Sequence, residues 1–154
     1  MGLFSFVKDA GAKLFGKKVE EAPVEEKATL KASALLEHVQ KLELPFQKLK
    51  ISLTGDDVLV EGEVLQQQDS EKIVLAIGNV EGVDQVDNQM IIIEEAKPEA
   101  QFHTVEKGEW LSKIAKKYYG DANKYNVIFE ANKPMLTDPD KIYPGQVLRI
   151  PNLD

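Results

Sequence analysis

The 154-residue chain is poorly supplied with side chains that react at neutral pH. It has no cysteine, which excludes thiolate nucleophiles, disulfides and thiolate metal sites together. Its two histidines, His38 and His103, stand in segments of helical and strand-like patterning. Neither sits in a nucleophile pattern, and both read as partly exposed surface residues. Among the carboxylates, Asp56-Asp57 falls in a turn and Glu94-Glu95 precedes a linker. They match neither EF-hand spacing nor a histidine-based metal motif, and no glycine-rich phosphate loop follows a strand. These residue types argue against an enzyme. The net charge of −7 argues against nucleic acid as a partner, because phosphate contacts need a positive surface.

The elements that would position a binding site fall into two groups. Residues 1–100 hold 11 lysines against 19 carboxylates, whereas residues 101–154 hold eight basic residues against seven acids, a step that suggests two units. The opening stretch "MGLFSFVKDAGAKLFG" is amphipathic. Lys8 and Asp9 break its apolar run too early for an export signal, and Phe6 stands where N-myristoylation needs serine or threonine. No window reaches the ~18 apolar residues of a membrane span. The expectation is a cytoplasmic chain whose opening amphipathic helix packs on its own protein, with lipid contact as the alternative. After the charged stretch "KKVEEAPVEEKA", Ala28, Ala32, Leu35, Leu36, Val39 and Leu42 form a helical stripe that ends at Leu44-Pro45. Period-two alternation then predicts a hairpin, Leu49–Leu53 and Val58–Leu65, around "TGDD". Gly62 marks a close packing position or a bulge in it. A helix capped by Asp69 or Ser70 runs to Gly78, and "DQVDNQMIIIE" supplies a last strand. Helix, strand, strand, helix, strand makes a small α+β sandwich. Beyond the linker "EEAKPEAQ", Phe102–Val105, a helix carrying Leu111, Ile114, Ala115 and Tyr118, a helix near Tyr125–Asn132 and a closing "YPGQVLRIP" make a β-α-α-β unit.

The first unit resembles the BON domain through "LKISLTGDDVLVEGEV" and "SEKIVLAIGNVEGVDQVDNQM", with the Val-Gly-Val step at Val80, Gly82 and Val83. The second resembles the LysM domain through "HTVEKGEWLSKIAKKYYG", "IFEANKP" and "IYPGQVLRIP", with Trp110 where threonine is usual. The expected layout is therefore an opening helix and linker over 1–22, a BON-type α-β-β-α-β sandwich over 23–96 and a LysM unit over 97–154. LysM resemblance implies a shallow groove for N-acetylglucosamine glycans such as peptidoglycan. Gly108, Glu109, Trp110 and Leu111 would form one side, and Asn132, Pro134, Met135 and Ile142 the other. The alternative is that Trp110 and Met135 make a protein contact instead.

One BON followed by one LysM behind a short amphipathic start resembles the small bacterial potassium-binding proteins of BON–LysM type. That resemblance implies a cytoplasmic monomer that binds K⁺ and changes conformation, as a sensor or buffer. A glycan-binding envelope protein and a membrane-associated stress protein are the rivals. K⁺ is a large cation suited to cages of neutral carbonyl oxygen, whereas clustered carboxylates favour Ca²⁺ or Mg²⁺. Helix ends offer such carbonyls, because their last four lack intrahelical donors. If Gly11 ends a short helix, the carbonyls of residues 7–10 are freed, with Val7 and Ala10 on one face. A second set lies where Gly78 ends the BON helix: Gly78, Val80 and Val83. The same glycines serve equally as a helix cap and a tight turn.

Overall fold

The computed structural model describes residues 2–94 and 100–153, without the side chains of residues 17, 18 and 24. The expected linker around Pro98 and the boundary between residues 96 and 97 lie outside the described residues. The opening is a strand, not the expected helix: β1 spans Gly2–Ser5. Phe4 and Phe6 turn inward while Leu3 and Ser5 face out, so the segment follows a period of two. A one-turn helix, α1 (Lys17–Glu20), leads to α2 (Val24–Lys41), which has Pro23 as its N-cap and starts four residues ahead of the apolar stripe. Leu35 and Val39 on that stripe are fully buried. The helix stops at Lys41, where Glu43 takes φ 58° and the N–H groups of Glu43 and Leu44 bond back to Gln40 and Val39. Leu44 is buried in the same core as Val39, which completes a Schellman-type stop.

The hairpin forms as the alternation predicts, from β2 (Lys48–Thr54) and β3 (Asp57–Val64). Gly62 backs onto the Lys48 carbonyl, the expected close approach. Next comes α3 (Gln67–Gly78), which begins ahead of the predicted cap: Gln66 is the N-cap, and its N–H bonds the Asp69 carboxylate at 3.3 Å. β4 (Gln85–Ile92) completes a sheet of order β1-β4-β3-β2. Within it β4 runs parallel to β3, while β1 and β2 pair antiparallel at the two edges.

The second unit consists of β5 (Gln101–Thr104), α4 (Leu111–Tyr119), a 3₁₀ turn at Ala122–Lys124, α5 (Tyr125–Ala131) and β6 (Val147–Ile150). Its core gathers Val105, Leu111, Ile114, Ala115, Ile128, Leu136, Leu148 and Ile150. The α+β class and both units match the expectation. What the pattern did not indicate is how α3 sits between them. Ile73, Val74, Leu75, Ala76 and Ile77 are all at most 2% exposed, because α3 packs on β4, on α2 and on β6 of the second unit. A helical stretch buried on every side, as residues 73–77 are, belongs in a shared interior. Val147 accordingly joins the first core, with Phe102 and Met135 packed against it, and the Phe4 and Phe102 rings meet edge to face at 5.0 Å.

Candidate functional site

After β1 the chain turns at Val7–Ala10, with Ala10 N–H on the Val7 carbonyl at 3.0 Å, and then runs beside the loop joining α3 to β4. Main-chain bonds lace the two stretches. Phe6 N–H donates to Asp84 O at 2.8 Å, Gly82 to Lys8 at 2.7 Å, Ala12 to Asn79 at 3.0 Å and Glu81 to Ala12 at 2.9 Å. Ala12 and Val80 form a parallel bridge. Two glycines permit this approach. A Cβ on Gly11, whose φ is +106°, would strike the Asn79 carbonyl, and one on Gly78 would enter the Phe6 ring.

The carbonyls named from sequence all belong to these laced stretches. No helix ends at Gly11, so Val7 and Ala10 present turn carbonyls instead of helix-end ones. Gly78 is the last residue of α3, as expected, and the donor that would continue the helix, Gly82 N–H, goes to Lys8. Among the described residues no donor outside the helix and strand ladders bonds the carbonyls of Ala10, Gly78 or Val83. Val7 and Val80 carbonyls each accept one turn bond, which leaves a second lone pair on each oxygen. Val80 and Val83 are fully buried, whereas Val7 is 44% exposed. Lys8 Nζ reaches Asp56 Oδ2 at 2.5 Å and pins the opening turn to the β2–β3 turn. The hydrogen bond and charge of Asp56 raise the Lys8 pKa. Among the described residues no group of three or more histidine or carboxylate side chains is placed to hold a metal. The carboxylates nearest this junction, Asp56, Asp84 and Asp9, act on Lys8.

The glycan-groove residues divide. Gly108 and Trp110 are exposed, and Lys113 Nζ lies 3.7 Å from the Trp110 ring centroid. Pro134 and Ile142 are half-buried. Leu111 is 2% exposed in the LysM core. Asn132 is equally buried: it donates to the carbonyls of Ile128 at 2.7 Å and Arg149 at 2.9 Å, and accepts from Arg149 N–H at 2.8 Å. Neither side chain is available to a sugar. Met135 packs on the first core and lines an interdomain cleft of about 290 Å³ with Gly11, His38, Asn79 and Tyr143. Burial lowers the His38 pKa, helped by Lys41, and raises that of Tyr143.

His103 departs from the surface reading. It is 6% exposed, with Nδ1 3.0 Å from the Tyr118 hydroxyl and Nε2 2.8 Å from Glu109 Oε1. Glu109 also accepts the Glu106 N–H at 2.7 Å, so a residue expected in the groove braces the turn before α4 instead. Two residues at this junction escape sequence reasoning. Asn79 exchanges bonds of 2.8 Å with both main-chain groups of Val147, and Gly145 touches the opening turn. Their signals were present in "GNV" and "YPGQ", but nothing linked motifs so far apart in the chain.

Comparison with known proteins adds the following. Residues 29–94 match the BON domain and residues 103–151 the LysM domain. Potassium binding protein Kbp of Escherichia coli O6:H1 strain CFT073 is 47% identical over 152 residues, covering 98% of this chain and 99% of that protein. An uncharacterized protein of Deinococcus radiodurans is 33% identical over 121 residues, covering 71% of this chain and 46% of its own length. Among the described residues no helix is long and apolar enough to cross a membrane.

Proposed function

This chain belongs to the family of the potassium binding protein Kbp, and from that premise we propose that it binds K⁺ as a cytoplasmic sensor or buffer. The ion is held by peptide oxygens of Val7, Ala10, Gly78, Val80 and Val83, where the opening segment meets the α3–β4 loop. The observation that carries this reading is the diversion of the Gly82 N–H to Lys8, which leaves the Gly78 carbonyl free beside a second run of turn carbonyls. Uncharged oxygens of this kind replace the water shell of a large monovalent cation, whereas Ca²⁺ and Mg²⁺ favour carboxylates. Because the ligands come from two separate stretches, K⁺ stabilises the laced arrangement over one in which the opening segment is detached. Titrating the full chain with KCl, NaCl and CaCl₂ at matched ionic strength tests the reading by heat and amide shifts. A saturable response to K⁺ alone, centred on residues 7–12 and 78–84, is expected. A flat K⁺ response sinks it.

One observation favours a second activity, contact with N-acetylglucosamine glycans: Trp110 is 52% exposed. An exposed indole face suits the apolar face of a sugar. It is the single tryptophan, so a change in its emission on adding chitin oligomers supports this reading, and a constant emission rejects it.

A further inference from the structure

We propose that the LysM turn Tyr143–Gln146 is a wall of the ion site, and that Gly145 fixes the position of the Val7–Ala10 turn and with it the size of the carbonyl cage. This rests on the K⁺ reading above and assigns to the second domain a positioning role in it. The sequence Tyr-Pro-Gly-Gln has the signature of a type II turn, with proline second and glycine third. Gly145 has φ +89°, and the Gln146 N–H returns to the Tyr143 carbonyl at 3.1 Å. The turn is held from both sides. Gly145 N–H donates to Val105 O at 2.8 Å, and Tyr143 N–H donates to Gln146 Oε1 at 3.2 Å. Pro144 restricts it further by fixing its own φ.

This stiff turn abuts the opening segment. A Cβ on Gly145 would lie 2.7 Å from Ala10 Cβ and 3.2 Å from Val7 Cβ, inside normal contact. The turn geometry alone would admit asparagine, but the close approach admits only glycine. Two residues on, Val147 is gripped by the Asn79 side chain, while the Asn79 carbonyl accepts the Ala12 N–H. One short stretch of the LysM domain therefore touches both halves of the junction, the opening turn through Gly145 and the α3–β4 loop through Val147. The number of carbonyls an ion meets and the cavity they frame together set its selectivity. Displacing the Ala10 backbone alters both.

The test uses the full chain with two variants, titrated with KCl and RbCl and melted in parallel. Gly145→Ala is expected to weaken K⁺ binding by about tenfold and to change the K⁺/Rb⁺ affinity ratio. Gly120→Ala is the control. Gly120 also has a positive φ, +74°, but nothing lies within 4 Å of its Cβ position. It should melt earlier yet keep its K⁺ affinity within about twofold. Unchanged affinity and ratio in Gly145→Ala, or an equal loss in Gly120→Ala, overturns the inference. The starting chain separates the two levels: if it binds no K⁺, the underlying reading fails, whereas K⁺ binding that ignores Gly145 sinks only the role of the turn.

Discussion

Arg149 Nε lies 2.6 Å from Oε1 of Glu71, a residue 78 positions earlier in the chain and in the other domain. Their side chains are 12% and 2% exposed, so the pair sits within the interface. The other Glu71 oxygen accepts the Ala100 N–H at 2.9 Å and the Gln67 amide at 3.3 Å. Both oxygens of the buried carboxylate thus have a donor, and the second domain supplies the charged one.

Breaking this pair from one side should be costly. Arg149→Met leaves Glu71 buried without its cation, and loss of one partner of a buried pair typically costs about 3–5 kcal/mol. Urea unfolding should show a lower midpoint and, multiplied by the unfolding slope, a stability lower by that amount. Replacing both partners, as Glu71→Leu/Arg149→Met, should recover most of the loss, since an apolar pair of similar volume removes the charge penalty. If the double variant is as unstable as the single one, the cost comes from packing.

Gly78→Ala tests the contact between the opening segment and α3. The added methyl enters the Phe6 ring, and overpacking of this kind costs about 1–3 kcal/mol. Phe6→Leu alone should also destabilise, through lost contact. Together the two changes should cost less than their sum, as thermal unfolding of the four-member cycle will show. Strict additivity would mean that Phe6 does not rest on Gly78.

Acid should loosen the turn before α4. Burial opposes the charge on Glu109, but the Glu106 N–H and His103 outweigh it and hold the Glu109 pKa below its ordinary 4.5. A carboxylate with a depressed folded pKa contributes its full stability above the unfolded value and loses it as pH falls through the folded one. Melting temperature should therefore fall more steeply between about pH 5 and pH 3 in the native chain than in Glu109→Gln. Parallel slopes would show that other carboxylates govern acid unfolding.

Potassium should raise the melting temperature more than sodium at equal ionic strength. A ligand that binds only the folded chain adds about 2.7 kcal/mol at a hundred times its Kd. For two domains this closely joined the shift should appear in a single transition. Equal melting in KCl and NaCl would contradict the proposed function.

Much of this was legible from local pattern. The α2 stripe, the β2–β3 alternation around "TGDD", the stop at Gly78 and the LysM order all follow from periodicity and turn residues, which act over a few positions. The opening strand was misjudged because four residues make too short a period to separate strand from helix. What makes it a strand is its pairing with residues 85–88, 80 or more positions away. The carbonyls of the proposed ion site leave no mark on side-chain identity, so the residues alone leave them open. His103 looked like a surface residue because its partners Tyr118 and Glu109 meet it only through the fold. Asn79 and Val147, like Glu71 and Arg149, pair across domains, where no spacing rule applies.

Strand β1 is also unusual in when its partner arrives. Residues 2–5 leave the ribosome long before β4, the neighbour that gives them a ladder, and before the turn at Gly145 that backs the adjoining bend. Closing so long a loop carries an entropic cost, which makes this ladder a strongly non-local contact. Residues 2–5 therefore stay without their ladder until residues 85–88 have been made, and the bend beside them stays without its backing until the turn at Gly145 follows.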